Sequence, residues 1–390
     1  MSNYYPHRYL GAIALGIFLL FQAMGYSKTV NNLVIKASNR LNISRNSETI
    51  EINVRDILEK SSLVNLEQLV VNDQLGQRLI HQLLDNDLDG TYDKLIFQAD
   101  FDPKQQKTFV ITSVSDLIHQ WESKVYARFV PTRMDDFAWE NDRIAYRMYG
   151  PALEVSGEIS SGVDVWVKRT RDMVLDKWYQ PDYNYHSDSG DGLDYYKVGP
   201  SLGCGGSAVW DGSQLYPSNN FSSWKIFANG PVRAIFELGY QPWEIGDMTV
   251  TEVKRITIDA GQNLNRFESR FKFLNSSSDL VNAVGLLKRE GLGIVQFNGE
   301  LGWLGYWEPP HAQHGSTGCG IIIPPNNIEA FEEIEDHNLI ITRMLSERLS
   351  YYAGAGWEKS TDFSSSDEWF TYLEEFALRL QSPLSLTFEK

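Results

Sequence analysis

Stretch after stretch of this chain alternates apolar and polar residues with a period of two. The pattern runs through NLVIKASN (32–39), ETIEINV (48–54) and KTFVITSV (107–114). It returns in PVRAIFELGY (231–240), MTVTEVKRITID (248–259) and LNRFESRFKFLN (264–275). Successive side chains of a strand point to opposite faces, so each segment has one face to bury and one to leave wet. Asn, Asp, Gly and Pro separate them, as turns require. Helical spacing is confined to short pieces: VRDILEK (54–60), LGQRLIHQLL (75–84) and SSDEWFTYLEEFALRLQ (365–381), before a last strand in LSLTFEK (384–390). Strands that each need a partner face predict an all-β fold, a large β-sandwich with a few short helices. No internal repeat or linker marks a boundary, so residues 26–390 are expected to form one domain.

The first 25 residues have a different character. His7 and Arg8 precede an apolar run from Leu10 to Met24, and Ala23, Met24 and Gly25 give a small-x-small pattern. This reads as a signal peptide cleaved after Gly25, with a periplasmic or secreted product; the alternative is an uncleaved anchor. No later segment is apolar enough to span a membrane, so no integral membrane domain is expected once the leader is removed. Net charge is −16, which repels phosphate backbones and argues against nucleic acid as a partner. The two cysteines, Cys204 and Cys319, sit in SLGCGGSA and GSTGCGII. An oxidising compartment allows one disulfide between them; the alternative is two buried thiols.

Chemistry-bearing residues gather in the middle of the chain. Read as a strand, AYRMYG puts Arg143, Ala145, Arg147 and Tyr149 on one face; GVDVWVKRT puts Asp164, Trp166 and Lys168 together. A face of charge and aromatic ring opposite an aliphatic one suits a sugar-binding sheet, and any solvated sheet as well. Between Trp178 and Asn220 the text is rich in turn residues, yet Tyr179, Tyr183, Tyr185, Tyr195 and Tyr196 lie in it. So many aromatics argue against disorder and for a functional loop. Asp85, Asp87 and Asp89, then Gly90 and Asp93, resemble the start of an oxygen-lined calcium loop. Position twelve is Ile96, which excludes a complete EF-hand, and an Asp/Gly turn is the alternative. Paired-cysteine, HExxH, GxSxG, P-loop and dinucleotide signatures are all missing, so no cofactor beyond structural calcium is expected.

The strings RFVPTRMDDFAWENDRIAYRMYGPALE (128–154), SGVDVWVKR, YHSDSGDGLDYYKVGPSLGCGGSAVW and NGPVRAIFELGY resemble the bacterial domain-of-unknown-function family numbered 4861, over roughly Asn31 to Lys390. The resemblance implies a β-sandwich of the galactose-mutarotase-like supersandwich kind. It also implies a place in polysaccharide degradation, one branch being similar to an ulvan oligosaccharide dehydratase. That activity removes water from a non-reducing-end uronic acid and leaves a 4,5-unsaturated sugar.

Such a reaction needs a cation for the substrate carboxylate, a base for the C5 proton and an acid for the C4 hydroxyl. Arg147, with Arg143 second, is expected to hold the carboxylate. Tyr185 or His186 is expected to be the base and His314 the acid. Trp139 and Trp166 would stack on sugar rings, while Glu140, Asp142, Tyr149 and Lys168 would bind the oligosaccharide. Two other readings stay open: a non-catalytic carbohydrate-binding protein, and a glycoside hydrolase with two carboxylates among Asp135, Asp136, Glu140 and Asp142.

Overall fold

A computed structural model describes residues 32–115, 121–275, 280–343 and 346–389. The expected signal peptide lies outside them. Residues 31–390 form one compact unit. The chain is the all-β sandwich that its alternation predicts, built from antiparallel sheets.

Alternation converts directly into burial. Along Met248–Asp259 every second residue is buried without exception. This strand lies near the middle of a nine-stranded sheet that runs from Phe221–Asn229 to Ile294–Asn298. Two five-stranded sheets pack against the same core. One contains Cys204–Trp210, Val281–Leu287 and His337–Thr342; the other orders its strands Gly192–Asp194, Asp164–Lys168, Ile144–Met148, Asp136–Asn141 and Val125–Val130. A single parallel bridge, Val163 to Gly203, joins these two sheets. Trp139, Tyr146, Val165, Val284, Phe236, Ile256 and Tyr351 meet in the shared core. Trp139 is fully buried there and donates its indole N–H to Asn265 at 2.9 Å, so it cannot stack on a sugar.

A second, smaller core forms from Leu33, Ile35, Ile50, Ile52, Phe97 and Phe109. The last described strand, Ser385–Glu389, pairs with the first, Leu33–Ser38, in that layer. The helix Ser366–Gln381, capped by the Ser365 side chain on Glu368 N–H, lays Trp369, Phe370 and Leu373 on the nine-stranded sheet. No helix among the described residues is long and apolar enough to cross a membrane.

Two local expectations change. LGQRLIHQLL is not helical: the chain turns at Gly76, with φ +79°, and continues as the strands Arg78–Leu79 and His81–Leu84. Contacts from the His81 ring to the carbonyls of Leu79 and Leu69 hold it extended. Within the turn-rich segment 178–220 lies Cys204–Trp210, a strand buried at every residue. Its small residues allow close approach: a side chain on Gly205 would strike Ala353 of the facing sheet. Cys204 and Cys319 are both free and buried, so the alternative of two thiols describes the structure. The Cys204 thiol faces the Gly354 carbonyl at 3.2 Å and the Cys319 thiol faces the Tyr196 hydroxyl at 3.8 Å.

Candidate functional site

The outward face of the sheet that carries Arg147 is covered. Cross-strand pairing sets Arg147 beside Ala138 and Asp164, and Trp166 beside Asp194. Over this face folds the segment from Val174 to Tyr185, whose Leu175, Trp178 and Tyr185 pack on Ala138, Ala145 and Trp166. Glu140 and Lys168 tie the cover down. Both side chains are 0% exposed and paired at 2.7 Å, and Glu140 accepts the N–H groups of Val174 and Leu175 at 2.8–2.9 Å. Removal from water lowers the Lys168 pKa, and Glu140 opposes that. The expectation that Glu140, Lys168 and Trp166 touch sugar is therefore corrected: they lie beneath the cover and structure it.

Arg147 is also spent. Its side chain is 7% exposed. Nε donates to Asp164 at 2.9 Å, and one terminal nitrogen donates to Asp194 at 3.0 Å and to the Tyr149 hydroxyl at 3.1 Å. Asp136 lies 3.5 Å from the other. The guanidinium also lies over the Tyr149 ring at 4.8 Å and the Trp166 ring at 4.9 Å. A guanidinium so engaged has no open edge for a substrate carboxylate, which corrects the role expected of it. Tyr149 donates to Asp164 at 3.2 Å and belongs to the same buried cluster.

Three carboxyls around one cation cannot all remain ionised in a dry site. Burial pushes the Asp136 pKa up to about 6 against the pull of Arg147. Burial likewise raises Asp164, and it raises Asp194 well above the carboxylate range with help from Asp164. Within the cluster, burial favours protonated carboxyls and Arg147 opposes it.

At its mouth stand Arg133, Tyr185 and His186. Tyr185 lies flat on Trp166, with centroids 4.8 Å apart, and its hydroxyl accepts from Arg133 Nε at 2.8 Å. Arg133 is otherwise exposed. The His186 ring is 4.4 Å from that of Tyr185 and its side chain is 56% exposed. His186 Nδ1 lies 3.0 Å from the Asp194 carbonyl oxygen and 3.7 Å from the Asp194 carboxylate. A carbonyl only accepts, so Nδ1 carries the proton and Nε2 keeps its lone pair.

Other expected residues fall elsewhere. Arg143 pairs with Asp362, which also holds Arg171, and Asp142 accepts the N–H of Gly261 at 2.6 Å. Both are structural ties at the end of the sheet. His314 stacks on His311 at 4.6 Å and lies 5.1 Å from the Tyr195 ring. It faces the His186 loop through Tyr195 and the charge of Asp188, and its carbonyl accepts from Trp357, over which lies Arg169, the partner of Asp188. Burial, His311 and Lys359 lower the His314 pKa, and Asp188 opposes them. Asp85, Asp87 and Asp89 bring ligand oxygens within 4.8 Å of one another, while Asp93 turns to the Asn86 N–H and stands outside that group.

The sequence reading missed Arg133 and Asp194. Arg133 lies in the quoted string RFVPTRMDD, but only the fold sets it against Tyr185, 52 positions away. Asp194 enters the cluster through pairing with Trp166.

Comparison with known proteins follows the fold. A family model described as a domain of unknown function (DUF4861) matches residues 37–386. A relative from Formosa agariphila, named Uncharacterized protein P7, is 33% identical over 377 residues, which is 91% of this chain and 93% of the relative. A glycosyl hydrolase family 38 protein from Enterococcus faecalis superposes with a TM-score of 0.53 at 11% identity, over 92% of this chain and 47% of its own. An alpha-mannosidase from the same organism gives 0.50 at 10% identity, over 92% and 46%. The chain spans about half the length of these two solved structures, and at such identities the likeness is one of fold.

Proposed function

The chain belongs to the DUF4861 family, and from that premise we propose that it is an exported carbohydrate-active enzyme that removes water from a terminal uronic acid of an oligosaccharide. The observation that carries this reading is the pairing of His186 with Asp194 beside a tyrosine held by an accessible arginine. Arg133, an exposed residue bound here through Nε alone, takes the substrate carboxylate and offsets the charge that builds there as C5 loses its proton. His186 Nε2 receives that proton. The electron pair forms the C4–C5 double bond, and the C4 hydroxyl departs as water with the Tyr185 phenol proton, which no described residue accepts. The Asp194 carbonyl oxygen orients the imidazole and keeps accepting from Nδ1 once the ring is charged.

The test is ultraviolet absorbance of the unsaturated uronate when uronate-ended oligosaccharides meet the mature protein. Wild type is expected to generate it. His186→Ala should lower the rate by roughly 10²–10⁴-fold, and Arg133→Ala should act mainly on uronate binding. Release of reducing sugar without absorbance would replace this reading with a second one, glycoside hydrolysis. That alternative is favoured by the names of the solved neighbours. Binding with no product of either kind would leave a carbohydrate-binding protein.

Calcium at Asp85, Asp87 and Asp89 remains part of the proposal. Three clustered carboxylates form an incomplete oxygen shell that backbone oxygens and water would complete. Calorimetric titration should show one binding event, lost in Asp87→Ala; identical heats for both proteins would remove it.

A further inference from the structure

We propose a second sugar-binding site, separate from His186, that takes an anionic monosaccharide unit in the cavity between the nine-stranded sheet, the smaller N-terminal layer and the C-terminal helix. The cavity measures about 340 Å3, within the range of small-ligand sites, roughly 300–1,000 Å3.

Its floor is rigid. On the outer face of the nine-stranded sheet, register places Arg233 opposite Asp259, Arg255 opposite Glu268, and Arg266 between Thr257 and Tyr352. One wall brings Glu51 and Lys94 from the paired strands Arg45–Asn53 and Lys94–Phe101. The other brings Phe376 from the helix, edge-on to Tyr352 at 5.3 Å.

One loosely held cation singles out an anion. Lys94, Arg233, Arg255 and Arg266 line the cavity with Glu51, Asp259 and Glu268, and Glu237 balances Arg255 from outside it. Most of these groups satisfy one another. Arg233 holds Asp259 at 2.5 and 2.7 Å and Glu51 at 2.6 Å. Arg255 donates to Glu237 at 3.2 Å and to the Asn86 carbonyl at 2.7 Å. Arg266 is different: it makes one bond, to neighbouring Glu268 at 2.9 Å, and its side chain is 46% exposed. Beside it, the largely buried Tyr352 hydroxyl makes no hydrogen bond to a described residue. It stands in the field of Arg266, Asp259, Arg233 and Glu51. An uncommitted guanidinium edge and an uncommitted phenol over an aromatic wall are the contacts that a sugar carrying a carboxylate or a sulfate ester requires.

Calorimetry on the mature chain tests this with methyl β-glucuronide, methyl β-glucoside 6-sulfate and neutral methyl β-glucoside. The two anionic sugars identify which acid group is preferred, and the neutral one should bind at least tenfold more weakly. Arg266→Ala and Tyr352→Phe should each weaken the anionic sugar at least tenfold at one site while leaving turnover of uronate-ended oligosaccharides unchanged. Arg133→Ala should leave that site intact, so failure at this cavity and failure at His186 read out separately. Equal affinity of wild type and Arg266→Ala for both anionic sugars would overturn the proposal, as would equal binding of the neutral glucoside.

Discussion

Glu308 is a carboxyl group that burial pushes up to about 7, against the pull of Arg289 at 3.0 Å. The folded protein therefore binds this proton more tightly than the unfolded chain, where the ordinary value is 4.5. Ionisation costs stability that is fully lost above pH 7 and regained as pH falls toward 4.5. Asp136, at about 6, has the same sign over a lower window. The buried His337 opposes them, since burial lowers its pKa and protonation then favours unfolding. Glu51 is held at about 2, so its window, from 4.5 down to about 2, lies below that of Glu308. Comparison with Glu308→Gln cancels the histidine contribution. Between pH 7.5 and 5.5, wild type should gain on the variant by about 2 kcal/mol, a few degrees in Tm by differential scanning calorimetry. A constant or shrinking difference would contradict the burial argument. None of this was legible in the sequence. Period two correctly put Arg147 on the strand face opposite Tyr146, and Asp164, Trp166 and Lys168 together on theirs. Whether that face meets water depends on Trp178 and Tyr185, which fold back over it from the connection between Asp164–Lys168 and Gly192–Asp194.

At the level of elements, that cover hangs on one buried pair. The helical turn Leu175–Trp178 is too short to persist alone, and the Glu140 carboxylate caps its first N–H groups while Lys168 neutralises the charge. Removing one partner leaves the other uncompensated, so Glu140→Ala should cost about 3–5 kcal/mol. Beyond destabilisation, a cap predicts loosening of the cover itself. Tryptophan emission should shift to the red as Trp166 and Trp178 wet, and Glu140→Gln should recover part of the stability. A Glu140→Ala protein with unchanged Tm and emission would show that the cover is held by its aromatic packing alone. The long helix Ser366–Gln381 was readable because its apolar residues and its Ser365 cap are local signals. The turn at Leu175 was not, because its N-terminal anchor lies 34 and 35 positions away in sequence.

Across the described residues, the first and last strands close the smaller layer. Ser385–Glu389 covers Leu33–Ser38, which would otherwise be the edge of its five-stranded sheet. Leu384, Leu386 and Phe388 pack on that layer's core, and Arg45 beneath them donates to the Ser382 carbonyl. An uncovered strand end invites pairing with other chains. Truncation after Pro383 should therefore expose Leu33–Ser38 to hydrogen exchange and promote concentration-dependent association. The large core around Trp139, Phe236 and Tyr351 shares no residue with the smaller one, so Met248–Asp259 should keep its protection. The His186 site, built on the sheet around Arg147, should keep its activity as well, while the anionic-sugar cavity, walled by Glu51 and Lys94, should lose affinity. Retained exchange protection at Leu33–Ser38 after truncation would mean that the smaller layer stands without its last strand. The two sites would then have to be separated by the point substitutions alone.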